Sequence, residues 1–380
     1  MKRADHLFEK LISRENLALA IDEVNRTHHW RTHHRPNYVT AWVEITKEQR
    51  ITELRSIIIN GFEQKPPRVT ERWDASAQKR RTVHEPAQWP DQYVHHAVVQ
   101  VLQPIFMRGM DPCCCGSIRG RGTHYAKNAI AGWMRKDKKG TKYAFSGDIR
   151  HFYDSLQPEV VMDRMRHLIK DARMLDVIWR IVKDGIMIGA YTSQWFANVT
   201  LQPLDRLIRN SGAAAHYTRY MDNITVFGAN KRKLRRTKDA VEKWLKEHKL
   251  LLKYDWQIFP TRSRMPNAVG YRYGRNYILP RKHNLLRLKR AIARYRYRVK
   301  KGLNILAGAA ASILSKLGQL RHCNNRNLYR LLFRGERLVK QLKTIVRTKT
   351  RKENKIIWSM FLEHAKTLKF SKQRATATPT

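Results

Sequence analysis

Asp148 and Asp222 are the residues of this chain whose type and surroundings best suit chemistry. Asp148 follows the strand-like run Lys142-Tyr143-Ala144-Phe145, and Asp222 sits in the turn Tyr220-Met221-Asp222-Asn223, which leads into Ile224-Thr225-Val226-Phe227. Two hydrophobic strands with a carboxylate at each mouth can hold two divalent cations over a nucleoside triphosphate, because a cation bridging phosphate oxygens needs hard oxygen donors. Asp148 offers a carboxylate and Ile149 a backbone carbonyl. Tyr153 lies where the chain turns from strand to helix, and a flat ring there can crowd the 2′ position of an incoming sugar. Asp154 is read as a helix N-cap.

The elements around these residues follow from periodicity. Apolar residues at Leu7, Leu11, Leu17, Ala20, Ile21 and Val24 predict one or two amphipathic helices, and Leu54, Ile57 and Ile58 another. Lys65-Pro66-Pro67-Arg68-Val69 reads as a proline-marked loop entering a strand, and the basic stretch from Lys79 to Pro86 as hairpin-like. A helix is predicted from Asp91 to Phe106, then a basic glycine-rich loop from Gly116 to Gly122, then a helix over roughly 124–135. Beyond Asp148, one long helix is predicted through Leu168, Leu175, Ile178, Trp179 and Val182. After a loop marked by Gly185 and Gly189, another is expected from about Ser193 to Arg209. A helix over 234–248 and short strands around Leu250–Phe259 and Val269–Tyr273 complete the middle of the chain.

The chain has 380 residues and a formal charge of +45, from 76 Lys and Arg against 31 Asp and Glu. Such an excess calls for a polyanion, and nucleic acid is the natural one, since each neutralised phosphate releases a counterion. Ten tryptophans and 42% hydrophobic content argue against a histone-like basic protein. There is no long apolar span, lipid-anchor motif or secretory signal, so the expectation is a cytoplasmic protein that binds no membrane. From Trp256 to Gly335 there is no acidic residue and 19 Lys or Arg, while aliphatic residues recur at Leu285, Leu288, Ile292, Ile305, Ile313, Leu317 and Leu320. That combination predicts a helical domain able to lie along a duplex backbone, in preference to an ordinary solvated face with both signs of charge. Cys113, Cys114, Cys115 and Cys323 have the wrong spacing for zinc or a disulfide framework and are expected to be small buried residues. The cluster His28, His29, His33 and His34 around Trp30 suits a surface that meets RNA better than a metal site. Residues 371–380 are expected to be disordered.

Six segments in order carry a resemblance: RTVHEP over 81–86, SIRGRGTH over 117–124, DIRHFYDS over 148–155, IGAYTSQWFAN over 188–198, YMDN over 220–223 and GYRY over 270–273. Together they resemble the reverse transcriptases of bacteria. The form of the 188–198 segment, with Trp256-Gln257-Ile258-Phe259-Pro260, is most similar to the defence-associated, abortive-infection and diversity-generating retroelement types. The resemblance spans about residues 65–275, and the basic helices beyond fit the family's thumb.

It implies an α+β right-hand polymerase with fingers and palm, an antiparallel sheet with helices, and an α-helical thumb. The implied divisions are a helical extension over 1–64, fingers with the start of the palm over 65–146, palm over 147–280, thumb over 281–345, and a C-terminal helix and disordered tail over 346–380. Asp148 and Asp222 are the implied catalytic metal ligands, with Ile149 and Asn223 beside them, for two Mg²⁺ ions or for Mn²⁺. Lys79, Arg81, Tyr153 and Gln194 are implied for the nucleotide. Arg119, Arg121, Gly189, Ser193, Gly270, Tyr271, Arg287 and Arg294 are implied for template and primer. Partners would be a structured non-coding RNA template, the DNA product and dNTPs, with a homo-oligomer or an accessory protein left open. Antiphage defence is the preferred role and diversity generation the runner-up.

Two positions depart from the family pattern. Asn223 stands where the family has a second Asp, which removes a charge, weakens the metal site and favours Mn²⁺. A non-catalytic RNA-binding scaffold is the reading that this one feature favours. Trp256 stands where a related motif carries Lys. Lys249 and Lys253 are then the candidates for the leaving pyrophosphate, and the general acid stays unassigned.

Overall fold

Runs rich in Tyr, Phe, Val and Thr in the middle of the chain condense into one sheet, and the periodic apolar stretches on either side form helices against it. The computed structural model describes residues 3–27, 38–74, 79–324, 326–333 and 338–348. The histidine cluster and the C-terminal tail lie outside the described residues, as does the side chain of Lys79.

The chain opens with α1 (Leu7–Leu11), α2 (Arg14–Thr27), α3 (Tyr38–Ile45) and α4 (Lys47–Ile59). Strands β1 (Arg68–Asp74) and β2 (Lys79–Glu85) pair antiparallel, from Arg68 opposite Glu85 to Asp74 opposite Lys79. Next come α5 (Tyr93–Arg108), β3 (Cys114–Cys115), α6 (Thr123–Lys136), β4 (Tyr143–Asp148), α7 (Phe152–Ser155), α8 (Pro158–Leu168), α9 (Ala172–Val182), α10 (Tyr191–Thr200) and α11 (Gln202–Asn210). The hairpin β5 (His216–Tyr220) and β6 (Asn223–Gly228) leads to α12 (Lys231–Glu247), then β7 (Gln257–Pro260), β8 (Asn267–Ala268), β9 (Tyr271–Tyr273) and β10 (Ile278–Pro280). Helices α13 (Lys282–Lys300), α14 (Ala307–Leu320) and α15 (Arg326–Phe333) follow, and residues 338–348 are helical. The class is α+β. The main sheet runs β3-β5-β6-β4-β7, antiparallel except where β3 lies parallel to β5. Among the described residues no helix is long and apolar enough to cross a membrane.

Two long helices predicted from periodicity are each broken in two. Asp171 ends the first: its Oδ1 accepts from Met174 N at 3.1 Å and caps α9, while its Oδ2 accepts from Leu7 N and Phe8 N at 2.7 and 2.8 Å. A carboxylate that also holds the start of α1 cannot continue a helix. The second breaks between α10 and α11, where Pro203 falls in the first turn of a new helix. Asp154 does not cap: His151 precedes α7 and Gln157 precedes α8.

The chain divides into two compact units, one of residues 1–24 and 46–281, the other of 25–45 and 282–380. The core of the first surrounds α5 and α10, where the Phe106 ring meets Trp195 at 6.3 Å and Phe196 at 6.2 Å between centroids. Buried His95 ties these helices together, with Nδ1 2.6 Å from Thr192 Oγ1 and Nε2 3.0 Å from Gln64 Oε1. Burial lowers its pKa to about 3, so it stays neutral. The core of the second unit is the aliphatic stripe of α13 and α14, including Leu288, Ile292, Ile313, Leu317 and Leu320, joined by Leu332, Leu338 and Leu342.

Asp91 is fully buried at the start of the α5 region. Its Oδ2 accepts from Lys65 N at 3.0 Å, and its Oδ1 has no hydrogen-bond partner among the described residues. Desolvation raises its pKa from 3.8 to about 6, the Lys65 amide opposing only in part. The folded state therefore holds this proton more tightly than the unfolded chain, and the carboxyl's contribution to stability is lost as pH rises through about 6. Asp91→Asn is expected to flatten that dependence. In urea unfolding at about pH 5 and about pH 8, the variant should gain on the wild type at the higher pH. An equal pH dependence in both proteins would count against a buried, proton-binding Asp91.

Candidate active site

Asp148 ends β4 and pairs across the sheet with Asn223 at the start of β6, so the turn carrying Asp222 lies beside the end of β4. Ile149 N donates to Asp222 O at 3.1 Å and locks the two loops together. The hairpin turn has only Met221 and Asp222 between paired Tyr220 and Asn223, and Met221 adopts φ 55°. A side chain at the first position of such a turn is unusual, since the left-handed conformation there favours glycine.

The electrostatics fit the geometry. Desolvation raises the Asp222 pKa, and the charge of Asp148 raises it further, while Lys253 and the hydrogen bond from Asn223 oppose the shift. The Lys253 ammonium forms an ion pair with Asp148 Oδ1. Apart from that ion pair, no described residue hydrogen-bonds to this buried oxygen. Lys253 is itself placed by the backbone, its N donating to Asp148 O at 2.8 Å. A carboxylate whose ionisation is opposed by burial and a neighbouring like charge, beside a second carboxylate that faces an ammonium, makes a place where divalent cations fit. Among the described residues no group of three or more His, Cys, Asp or Glu forms a metal cage, so other ligands would come from Ile149 O, solvent or substrate. Asn223 Nδ2 donates to Asp222 Oδ1 at 3.0 Å and so steadies that carboxylate.

Tyr153 in α7 is half-buried. Burial and then the charge of Asp222 push its phenol well above the ordinary range, and Arg81 acts in the opposite direction. The phenol is thus within electrostatic reach of both Asp222 and the β2 arginine. Gly189 approaches β2 so closely that a Cβ would lie 2.8 Å from His84 O, and its φ is +120°. His84 N donates to Ile188 O at 3.0 Å. These contacts dock the β1–β2 ribbon onto the loop before α10. Gln194 is the exposed position in a helix that buries Ser193 and most of its other residues, so Gln194 can reach a ligand whereas Ser193 packs inside.

The other residues implied by the sequence are spread over the fold. Arg119 is exposed in the glycine-rich loop, and Arg121 Nη1 donates to Asp111 O at 3.1 Å. Gly270, at φ 91°, makes the turn between β8 and β9, and Tyr271 is buried. Arg287, partly buried, and Arg294, exposed, lie on α13 in the second unit. The pKa of Lys316, also in that unit, is lowered by burial and then by the charges of Arg287 and Arg294, which marks a dense cationic cluster. Cys114 and Cys115 are buried, Cys113 and Cys323 partly so, and all four are free thiols. Burial pushes the thiols of Cys114 and Cys115 up to about 12 and about 11, which leaves them unreactive.

Sequence reasoning missed two cations. Arg281 Nε donates to Asn267 Oδ1 at 2.7 Å and its N to Gly270 O at 3.1 Å. Burial lowers its pKa, which the charges of Tyr273 and Asp148 counter, so it lies in the field of the Asp148 site. Arg219, fully buried behind the Asp222 turn, is the other. Its signal in sequence is only its place one residue before Tyr220.

The chain is similar to known proteins over the segment that holds these residues. Residues 76–255 match the model of the family described as reverse transcriptase (RNA-dependent DNA polymerase). Protein YkfC of Escherichia coli (strain K12) is 22% identical over 151 residues, and the match spans 35% of this chain and 39% of YkfC. Among solved structures, apo telomerase from Candida tropicalis, truncated from its C-terminal domain, is similar with a TM-score of 0.45 and 12% identity over 59% of this chain and 58% of that one. Telomerase from Candida albicans, in complex with a TWJ fragment of telomeric RNA, has a TM-score of 0.45 and 11% identity over 84% and 66%. The segment that matches the reverse transcriptase family, residues 76–255, holds Arg81, Asp148, Tyr153, Gln194, Asp222 and Lys253.

Proposed function

We propose that this protein is an RNA-directed DNA polymerase. The observation that carries the reading is the placement of Asp148 and Asp222 on adjoining strand ends, inside the segment that matches the reverse transcriptase family. Asp148, Asp222 and the Ile149 carbonyl would hold two divalent ions, Mg²⁺ or Mn²⁺. Bound there, the ions would steady the attacking 3′ oxygen and the leaving oxygen of an in-line displacement at the α-phosphate. Arg81 binds the triphosphate as a charge-assisted clamp, with Lys79 as its neighbour in β2. Tyr153 bars a 2′-hydroxyl, and Gln194 faces the nucleotide. Lys253, held beside Asp148, is the group placed to give a proton to the departing pyrophosphate. Arg119, Arg121, Gly189, Gly270 and Tyr271 serve template and primer, with Ser193 supporting from inside α10.

The β1–β2 ribbon and its neighbours over 65–146 correspond to fingers, 147–280 to palm and 281–345 to a thumb. The basic helices of that last part, with Arg287 and Arg294, suit the backbone of a duplex. The excess of 45 positive charges supports a structured non-coding RNA as template. Antiphage defence is the preferred role and diversity generation the second, both resting on the resemblance carried by the 188–198 and 256–260 segments.

Primer extension on an RNA template, with each dNTP alone and all four together, in Mg²⁺ and then in Mn²⁺, tests the reading. Template-directed DNA synthesis is the expected result. Tight RNA binding with no extension in either metal would instead establish the scaffold reading that Asn223 favours. Sequencing the RNA and DNA that copurify identifies the template.

A further inference from the structure

The buried side of the Asp222 turn holds an ion pair that has no access to substrate. Arg219 in β5 is 0% exposed and Asp205 in α11 is 1% exposed. Arg219 Nε and Nη2 donate to the two Asp205 oxygens at 2.7 and 2.8 Å, a bidentate pair. Nη1 donates both to Asn198 Oδ1 and to the main-chain oxygen of Met221, each at 2.9 Å. Nη2 also reaches Asn198 O at 3.3 Å and Cys114 Sγ at 3.2 Å, so both terminal nitrogens of the guanidinium are engaged. Asn198 Nδ2 in turn donates to Gly116 O at 3.1 Å, at the start of the glycine-rich loop. Tyr217 OH also donates to Asp205 Oδ1 at 2.6 Å, an oxygen that Arg219 Nε already holds.

A buried ion pair is weak evidence of stabilisation, because desolvating two charges offsets much of their attraction. What this pair does that a hydrophobic pair could not is hold Met221 O. Met221 carries the left-handed φ of 55° immediately before Asp222, a conformation that costs a non-glycine residue about 1 kcal/mol or more. Such a conformation persists only where its surroundings over-determine it. Two neighbours do so here. Arg219 fixes the carbonyl from one side, and Gly116 comes so close that a Cβ on it would lie 3.2 Å from Met221 Cγ and Sδ.

We propose that Arg219, oriented by Asp205, is a positioning residue for the metal-binding carboxylate: through the Met221 carbonyl it fixes the turn that aims Asp222 at Asp148. This rests on the polymerase reading above. The network also joins the glycine-rich loop to the same turn through Asn198, so loop and turn form one rigid piece.

Lysine in place of Arg219 keeps a charge for Asp205 but cannot serve Asp205, Asn198 and Met221 together. In Arg219→Lys, a displacement of the carboxylate of about 1 Å is expected to lower kcat by on the order of 100-fold. KM for dNTP and Kd for a primer–template duplex should stay near wild type. Mn²⁺ affinity, read by electron paramagnetic resonance without any substrate, should fall about tenfold, the loss expected when a group that orients a ligand is removed. Tyr217→Phe is the control, since it removes a buried hydrogen bond to the same Asp205, whose two oxygens Arg219 still grips, while the Met221 carbonyl keeps its bond from Arg219. It should lower the melting temperature while leaving kcat and Mn²⁺ affinity in place. Should Arg219→Lys fail to fold, Asp205→Asn carries the same test through a loosened guanidinium. Wild-type kcat and Mn²⁺ affinity in a folded Arg219 or Asp205 variant overturn the proposal, and so does an equal loss of both in Tyr217→Phe. Absence of synthesis and of Mn²⁺ binding in the wild type would instead sink the polymerase reading itself.

Discussion

Asp222→Ala is expected to abolish primer extension, and Asp148→Ala to do the same. In the polymerase reading each removes a proposed metal ligand worth several kcal/mol to the transition state, a loss on the order of 1,000-fold or more in rate. Full activity in either variant would remove the basis of the polymerase assignment. Asp222 also allows a second readout that does not depend on turnover. Desolvation and then Asp148 raise its pKa, so the fold favours the protonated form and the contribution to stability is lost as pH rises through that raised value. Asp222→Asn mimics the protonated carboxyl. In chelator at neutral pH it is expected to melt higher than the wild type while being inactive. Added divalent metal should raise the melting temperature of the wild type by mass action and leave the variant's unchanged. Asn223→Asp replaces the amide that donates to Asp222 with a third negative charge. It should destabilise the metal-free protein, tighten metal binding, and leave activity at saturating metal equal to the wild type or higher.

How far the sequence alone reached depended on how local each signal was. The strand ends at Asp148 and Asp222 were legible because each combines a short apolar run with a carboxylate at its mouth, and the register Asp148 opposite Asn223 brings the two together. The β1–β2 ribbon and the long α5 were legible for the same reason. The break at Asp171 was not, since apolar periodicity runs across it and its cause is the amides of Leu7 and Phe8, more than 160 residues away in sequence. The role of Ser193 depends on which face of α10 is buried, which a short motif does not say. Arg219 was invisible because its partners Cys114, Asn198, Asp205 and Met221 come from four separate elements and become neighbours only in the sheet. Charged residues in a chain this basic read as surface by default. The one arginine sealed under the Asp222 turn looks no different in sequence from the many that face solvent.

Tyr153→Ala is expected to let the enzyme accept ribonucleotides. The ring follows Asp148 by five residues, is half-buried, and lies within the electrostatic reach of both Asp222 and Arg81. In the polymerase reading, a side chain that feels both the proposed metal-binding carboxylate and the proposed triphosphate clamp is near the path of an incoming nucleotide's sugar. Discrimination there rests on a steric clash built against the wrong substrate, not on a bond made to the right one. Removing the ring should therefore lower the preference for dNTP over rNTP by on the order of 100-fold, mostly through a gain in kcat/KM for rNTP. Tyr153→Phe keeps the ring and should keep the preference, because burial and Asp222 hold the phenol protonated and leave its hydroxyl no titration to contribute. Single-nucleotide insertion opposite a templating base, with dNTP and rNTP in parallel, measures both ratios. If Tyr153→Ala keeps the wild-type preference, the gate lies elsewhere in the pocket. If Tyr153→Phe loses it, the hydroxyl itself takes part in binding, and the ring alone does not explain the selection.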